Sequence, residues 1–346
     1  MILSAEAAKF GLQFSIISKT PNVLLIGMDI GNTGFQIFAD GTNSLEALCQ
    51  ILGDQSYLFI NPWWSLTDSE AWSSRLTTLG KLFKTHPNIE FCFFCNSPCE
   101  VQYLGGLGFK AILMNHNVFA NEHINSVMDS TKDFSAIYNA KLVPWKRHWL
   151  AAKVKNLGLM YSKFGELESY YPKVKEFLPE AHFLNGDPTT ADYQMFNHKQ
   201  VAENLNRARV GLCLSKIEGA MYASIEYLLC GLPIVSTRSE GGRDLFFDEE
   251  YCAIVDDDPL AISNAVQRLE SMSIDPRYIR KRTMDKILKF RASFVDLVNE
   301  IKRRHGLKED GNHVLQSITS GDWACWRYST LQYLHAFFSN DERLTI

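Results

Sequence analysis

Leu214-Ser215-Lys216-Ile217-Glu218-Gly219-Ala220-Met221-Tyr222-Ala223-Ser224-Ile225-Glu226 runs directly into Tyr227-Leu228-Leu229-Cys230-Gly231-Leu232-Pro233-Ile234-Val235-Ser236-Thr237. The apolar residues from Val210 to Leu214 predict a strand ending in a small polar loop. A helix begins near Met221, stops at Gly231-Leu232-Pro233, and is followed by a second strand, so the stretch is a βαβ unit. Seven residues separate Glu218 from Glu226. That spacing puts the first carboxylate in the loop at the strand's C-terminal edge and the second in the opening turns of the helix. Ligands bind at that edge in open α/β sheets. Two such acceptors suit a polyhydroxylated ligand, and the helix N-terminus suits an anion. A nucleotide-sugar has both parts.

The same alternation extends in both directions. Val23 to Gly27, Tyr57 to Ile60, Ile89 to Phe94 and Ala111 to Asn115 read as strands. Helices are expected over Ser44 to Leu52, from the capping box Thr67-Asp68-Ser69-Glu70 through Leu82, and around Glu100 to Leu104. A polar, charged stretch from Asn121 to Phe134 marks a domain boundary. Beyond it come strand Ser135 to Asn139, helix Lys146 to Asn156, strand Leu157 to Tyr161, helix Glu166 to Leu178, strand Ala181 to Leu184 and helix His198 to Arg207. After the βαβ unit come strand Tyr251 to Val255, helix Leu260 to Leu269 and helical periodicity from Pro276 to Arg304. The aromatic tail Asp322 to Phe338 also reads as helix. The expected class is α/β, with a mostly parallel sheet in each of two domains, residues 1–130 and 131–320. Residues 321–346 form a C-terminal aromatic segment returning to the first domain.

With 346 residues, 46% of them hydrophobic, the chain can build more than one core. A net charge of −4 argues against nucleic acid as a partner. The longest basic stretch (Arg277, Arg280, Lys281, Arg282, Lys286, Lys289, Arg291) is interleaved with apolar residues. It reads as the solvated face of a helix, the alternative being peripheral contact with anionic lipid. No apolar run spans a bilayer, and Met1 to Phe10 lacks a signal-peptide pattern. The eight cysteines are scattered through apolar segments and read as reduced core residues. Cys92-x-x-Cys95 lies in a buried strand without a second pair at zinc spacing. The expected setting is cytoplasmic, the inner membrane surface being the location that the lipid-contact alternative implies.

Several shorter motifs bear on chemistry. Gly27-Met28-Asp29-Ile30-Gly31-Asn32-Thr33-Gly34 looks like a dinucleotide fingerprint, but three residues separate its first two glycines where one is needed. It reads as a loop lining a cleft. Lys141-Leu142-Val143-Pro144-Trp145-Lys146-Arg147-His148 follows a strand and opens a helix at Pro144. Positive charge there opposes the helix dipole, so Lys141, Lys146 and Arg147 call for an anion such as a diphosphate. His116, between Asn115 and Asn117, lies just past a strand end. Gly241 and Gly242, after strand Ile234 to Ser236, let backbone approach a ligand closely or form an ordinary turn. Trp63, Trp64 and Trp72 suit sugar stacking and core packing equally.

Taken together these residues resemble the retaining GT-B glycosyltransferases, specifically the large family 4 group. That group carries two glutamates at this spacing, the second followed by L-x-x-G-x-P and a short strand. Here these are Glu218, Glu226 and Gly231-Leu232-Pro233-Ile234-Val235-Ser236-Thr237. Ala140 to Arg147 matches the group's G-R-L-x-x-x-K-G, with Lys141 replacing the arginine and Arg147 the final glycine. Met221 stands where the group has a glycine after its first glutamate. The resemblance is strong from Ser135 to Leu269 and rests on His116 and the βα pattern before that.

The resemblance implies two Rossmann-like domains with parallel sheets facing across a cleft, and retaining, metal-independent sugar transfer. The donor would be a UDP- or GDP-sugar and the acceptor a glycan, a lipid-linked glycan or a small molecule. Glu226 would bind the ribose hydroxyls. Glu218 would meet the hexose hydroxyls and the developing charge at the anomeric carbon. Lys141, Lys146 and Arg147 would neutralise the diphosphate, with help from the backbone at Gly219, Ala220, Met221, Tyr222, Gly241 and Gly242. His116 would orient the donor sugar or acceptor. No cofactor is expected. Asp256-Asp257-Asp258 precedes Pro259 and is expected to cap a helix rather than bind metal. An epimerase or phosphorylase on the same scaffold and a non-catalytic nucleotide-sugar-binding subunit remain the alternatives.

Overall fold

The computed structural model describes residues 3–28, 36–39, 41–66, 69–162, 167–321 and 325–339. The chain divides into two compact units, Met1–Phe119 with Lys289–Ile346, and Ala120–Leu288. Residues 289–320, which the sequence places in the second domain, belong to the first unit. Both units are α/β.

The first unit is built on β1 (Gly11–Lys19), β2 (Asn22–Met28), β3 (Ser56–Pro62), β4 (Ile89–Cys95) and β5 (Ala111–Leu113). β2 to β5 run parallel, whereas β1 is antiparallel to β2. β1 goes unassigned in the sequence reading, although Leu12 and Phe14 are buried on alternate positions, the period of a strand with one covered face. Leu24, Ile26, Leu58, Ile60 and Phe93 form the core with Leu45 and Leu48 of the helix Ser44–Leu52. Trp72 is wholly buried, and Trp63 packs edge-on to Trp326 at 5.4 Å. Trp72 is thus a packing residue. The first two residues of the capping box and the span 29–35 lie outside the described residues.

The second unit carries β6 (Phe134–Asn139), β7 (Leu157–Met160), β8 (His182–Phe183), β9 (Ala208–Cys213), β10 (Ile234–Thr237) and β11 (Cys252–Val255). The first sheet is completed by β12 (Arg327–Thr330), antiparallel to β1. The aromatic tail is therefore not one helix: its described part is β12 followed by the helix Leu331–Ser339. The second sheet is parallel throughout, in the order β8-β7-β6-β9-β10-β11. Counted along this unit, that is 3-2-1-4-5-6, the doubly wound dinucleotide order. Its strand order reverses between β6 and β9. At such a switch point the connections leave to opposite faces, which opens a crevice outside the strands' carboxyl ends.

The βαβ unit sits at this reversal. Its helix, Tyr222–Leu229, ends as the glycine predicts. Gly231 has φ 77°, its N–H donates to Leu228 O, and Leu232 N–H donates to Tyr227 O at 2.9 Å. These two bonds are a Schellman cap, which satisfies carbonyls the helix end would otherwise orphan. Pro233 then prevents continuation and β10 begins.

The basic stretch lies on the helix Pro276–Arg304 and is largely engaged with protein. Arg280 donates to the carbonyls of Glu122, Asn125 and Leu229. Arg282 and Lys286 meet Asp248 at 2.9 and 3.2 Å. Arg291 is buried and donates to Val118 O. Among the described residues no helix is long and apolar enough to cross a membrane.

Candidate active site

The residues singled out in the sequence fall at the switch point of the second unit, except His116, which belongs to the first. Lys146 and Glu218 are joined by an ion pair, with 9% and 6% of their surfaces exposed. They come from loops on opposite sides of the reversal, after β6 and after β9. A charge pair this far from solvent is a poor source of stability, because desolvation offsets its attraction. Lys141 lies exposed at the entrance to the same loop.

The segment after β6 is not the expected helix from Lys146 to Asn156. It forms two 3₁₀ turns, Pro144–Lys146 and His148–Ala151, broken at Arg147. Arg147 has φ 51° and ψ 45°, a left-handed conformation that costs a side-chain-bearing residue about 1–2 kcal/mol. Its guanidinium makes three bonds that hold it there: Nε to Leu214 O at 2.6 Å, Nη2 to Thr237 Oγ1 at 2.7 Å, and Nη1 to Asp257 Oδ2 at 2.5 Å. Met221 likewise has φ 48°. Arg147 and Met221 thus both hold a left-handed backbone that a glycine adopts without strain. The break also seats His148 inward against Tyr138, where burial, with Lys146 adding to it, lowers its pKa to about 3.

Two loops are zipped together around Glu218. Glu218 N–H donates to Glu240 O at 3.0 Å, Glu240 N–H to Lys216 O at 2.9 Å, and Gly242 N–H to Gly219 O at 2.8 Å. Gly241 has φ 106°, and a Cβ there would lie 1.7 Å from Glu218 O. Gly241 therefore permits a close approach, but of the neighbouring loop's backbone. Arg243, next in the chain, is fully buried. Its guanidinium donates to Thr237 O at 2.5 Å, Ser215 O at 2.8 Å and Cys213 O at 3.2 Å, and to Asp244 Oδ1 at 2.8 Å. It ties β9, β10 and both loops into one support beneath Glu218.

Glu226 is 3% exposed, within the helix Tyr222–Leu229. Its Oε2 accepts from Asn139 Nδ2 at 3.2 Å, and its Oε1 lies 3.7 Å from His198 Nδ1. Burial pushes its carboxyl pKa up, against the lowering effect of His198 and Asn139. Folded Glu226 therefore holds its proton more tightly than the unfolded chain does. Its contribution favours the fold at low pH and is lost as the pH rises through the folded-state value. Glu226→Gln is expected to raise the melting temperature at about pH 7.5 and to lose that advantage toward about pH 4.5. Paired melting curves over that range measure it. Asn139 and His198 belong to no recognised motif. Only the placement of a polar residue at the end of an apolar strand marks Asn139 in the sequence.

In the first unit His116 opens a 3₁₀ turn, His116–Phe119, beyond β5. Its N–H donates to Asn96 Oδ1 at 3.3 Å, and loss of solvent lowers its pKa to about 4, so the ring is neutral at physiological pH. Asparagines stake this edge: Asn61 Nδ2 donates to Phe94 O at 2.7 Å, Asn96 Nδ2 to Pro62 O at 2.5 Å, and Asn115 Nδ2 to Asn96 O at 2.9 Å. The acidic run in the second unit has structural duties. Asp258 Oδ2 accepts from Ala261 N at 2.7 Å as the helix cap, and Asp257 pairs with Arg147.

No family model matches the chain, and no curated protein matches it. Among solved structures it is similar to sucrose-phosphate synthase from Thermosynechococcus elongatus, at 16% identity and TM-score 0.49, over 69% of this chain and 63% of that one. It is also similar to Anabaena HepE in complex with UDP, at 15% identity and TM-score 0.44, over 68% and 72%. A third similarity is to TarM, at 11% identity and TM-score 0.48, over 80% and 58%. The chain thus spans less than two thirds of the length of the synthase and of TarM.

Proposed function

We propose that this chain is a glycosyltransferase that moves a sugar from a nucleoside-diphosphate-sugar to an acceptor, with retention at the anomeric carbon. One observation carries the reading. A lysine and a glutamate are buried against each other at the switch point of a 3-2-1-4-5-6 sheet, with a second buried glutamate on the helix that follows. The family resemblance in the sequence agrees, and a pair of α/β units is what the GT-B arrangement requires.

In this reading the donor's diphosphate takes Lys146 from Glu218, with Lys141 adding charge at the entrance. Glu226 receives the ribose hydroxyls. Glu218, released from its ion pair, faces the sugar as positive charge develops at the anomeric carbon. The bond from that carbon to the phosphate oxygen breaks, and an acceptor hydroxyl bonds to the same face. Its proton leaves with the diphosphate. Fixed cations aimed at the departing diphosphate are the largest available help to such a step. They do the work a metal would otherwise do, and the engagement of Asp257 and Asp258 elsewhere supports a metal-independent reaction. Neutral His116 is assigned to orienting the donor sugar or the acceptor, which is a glycan, a lipid-linked glycan or a small molecule. A cytoplasmic setting at the inner membrane surface belongs to the same proposal.

Incubation with a panel of UDP- and GDP-sugars tests it. At least one donor is expected to raise the melting temperature and release its nucleoside diphosphate. If none does either, the reading is wrong.

A further inference from the structure

Glu226 is flanked by two side chains whose own positions are fixed. Asn139 is the last residue of β6, and its backbone N–H donates to Tyr227 Oη at 2.7 Å, on the helix that carries Glu226. His198 opens the helix His198–Asn206, whose start is locked by reciprocal bonds between Asn197 and Gln200. The His198 ring stands edge-on to Tyr222, with centroids 6.3 Å apart. The two contacts with Glu226 differ. Asn139 makes a hydrogen bond to Oε2, whereas the 3.7 Å from His198 to Oε1 is too long for one. The carboxylate is therefore pinned at one oxygen and left with accepting capacity at the other. The side chain of His198 keeps 31% of its surface exposed, against 4% for that of Glu226. Oε1 is the carboxylate oxygen on the His198 side.

We propose that Asn139 and His198 position Glu226 to accept from the vicinal hydroxyls of a ribose, and so set a preference for ribonucleotides over deoxyribonucleotides. The inference rests on the nucleotide-sugar reading and assigns it a specificity device. Asn139 stops the carboxylate rotating about its terminal torsion, and His198 walls the side from which the sugar approaches. A 2′-deoxyribose removes one donor to a buried charged acceptor. Such a bond discriminates strongly because the unmatched acceptor has no water to replace it.

Calorimetric titration of the full chain with UDP and GDP, each beside its 2′-deoxy counterpart, tests the inference. The unmodified protein is expected to bind the ribo form of its nucleotide about 10–100-fold more tightly. In Asn139→Ala and His198→Ala that ratio is expected to fall to about threefold or less, with His198→Gln restoring part of it. Asn139→Ser, whose side chain is too short to reach Glu226, replaces Asn139→Ala should the latter not fold. A general loss of packing would weaken both forms alike and leave their ratio unchanged, which would overturn the inference. An unmodified protein that binds neither nucleotide overturns the nucleotide reading itself, and the inference with it.

Discussion

Glu218→Gln is expected to lower sugar transfer by about 10²–10³-fold while nucleoside diphosphate binding holds or tightens. Glu218 is paired with Lys146, so in this reading the carboxylate competes with the diphosphate for the same cation. A glutamine keeps the shape and removes the competing charge. It also leaves Lys146 buried without its counter-ion, a loss of up to about 3–5 kcal/mol. A bound diphosphate would restore that stability. The variant should therefore melt below the unmodified protein when empty, and nucleoside diphosphate should raise its melting temperature by more. Transfer rates and melting curves with and without UDP or GDP measure both effects. Undiminished transfer, or loss of nucleotide binding, would contradict the role given to Glu218.

Arg243→Met should destabilise the fold by about 3–5 kcal/mol. Arg243 is fully buried and spends its guanidinium on three carbonyls and Asp244. Methionine fills comparable volume but leaves those carbonyls without donors in a region water does not reach, and each orphaned group costs about 1–3 kcal/mol. Equilibrium urea unfolding should show a lower midpoint. A midpoint within error of the unmodified protein would mean that the two loops are held by their own backbone bonds alone.

The alternation of apolar runs and helical stripes was enough to place most strands of both sheets, because each such element buries a regular face that periodicity exposes. The helix Ser44–Leu52 and β6 lie where the pattern puts them. β12 was hidden for the opposite reason: four residues at a sheet edge, two of them exposed, carry no burial period. The segment after Lys146 reads as helix because its composition is helical. What breaks it is the backbone of Arg147, stabilised by acceptors from residues 214, 237 and 257, and such partners are invisible to a local window. Glu218 and Lys146 stood out as charges in the loops that follow apolar strands, and Glu226 as a charge within the apolar helix between two strands. Asn139 and His198 did not, since their significance lies in distances to Glu226 across long stretches of chain. Gly241 was recognised as a residue allowing close approach, but only the fold shows that the approaching group is the carbonyl of Glu218.

The most direct test is a crystal structure of the full chain with UDP or GDP bound. A diphosphate is expected on Lys146, with the Lys146–Glu218 pair opened, and ribose hydroxyls on Glu226. A nucleotide bound elsewhere, or one bound with that ion pair intact, would contradict it.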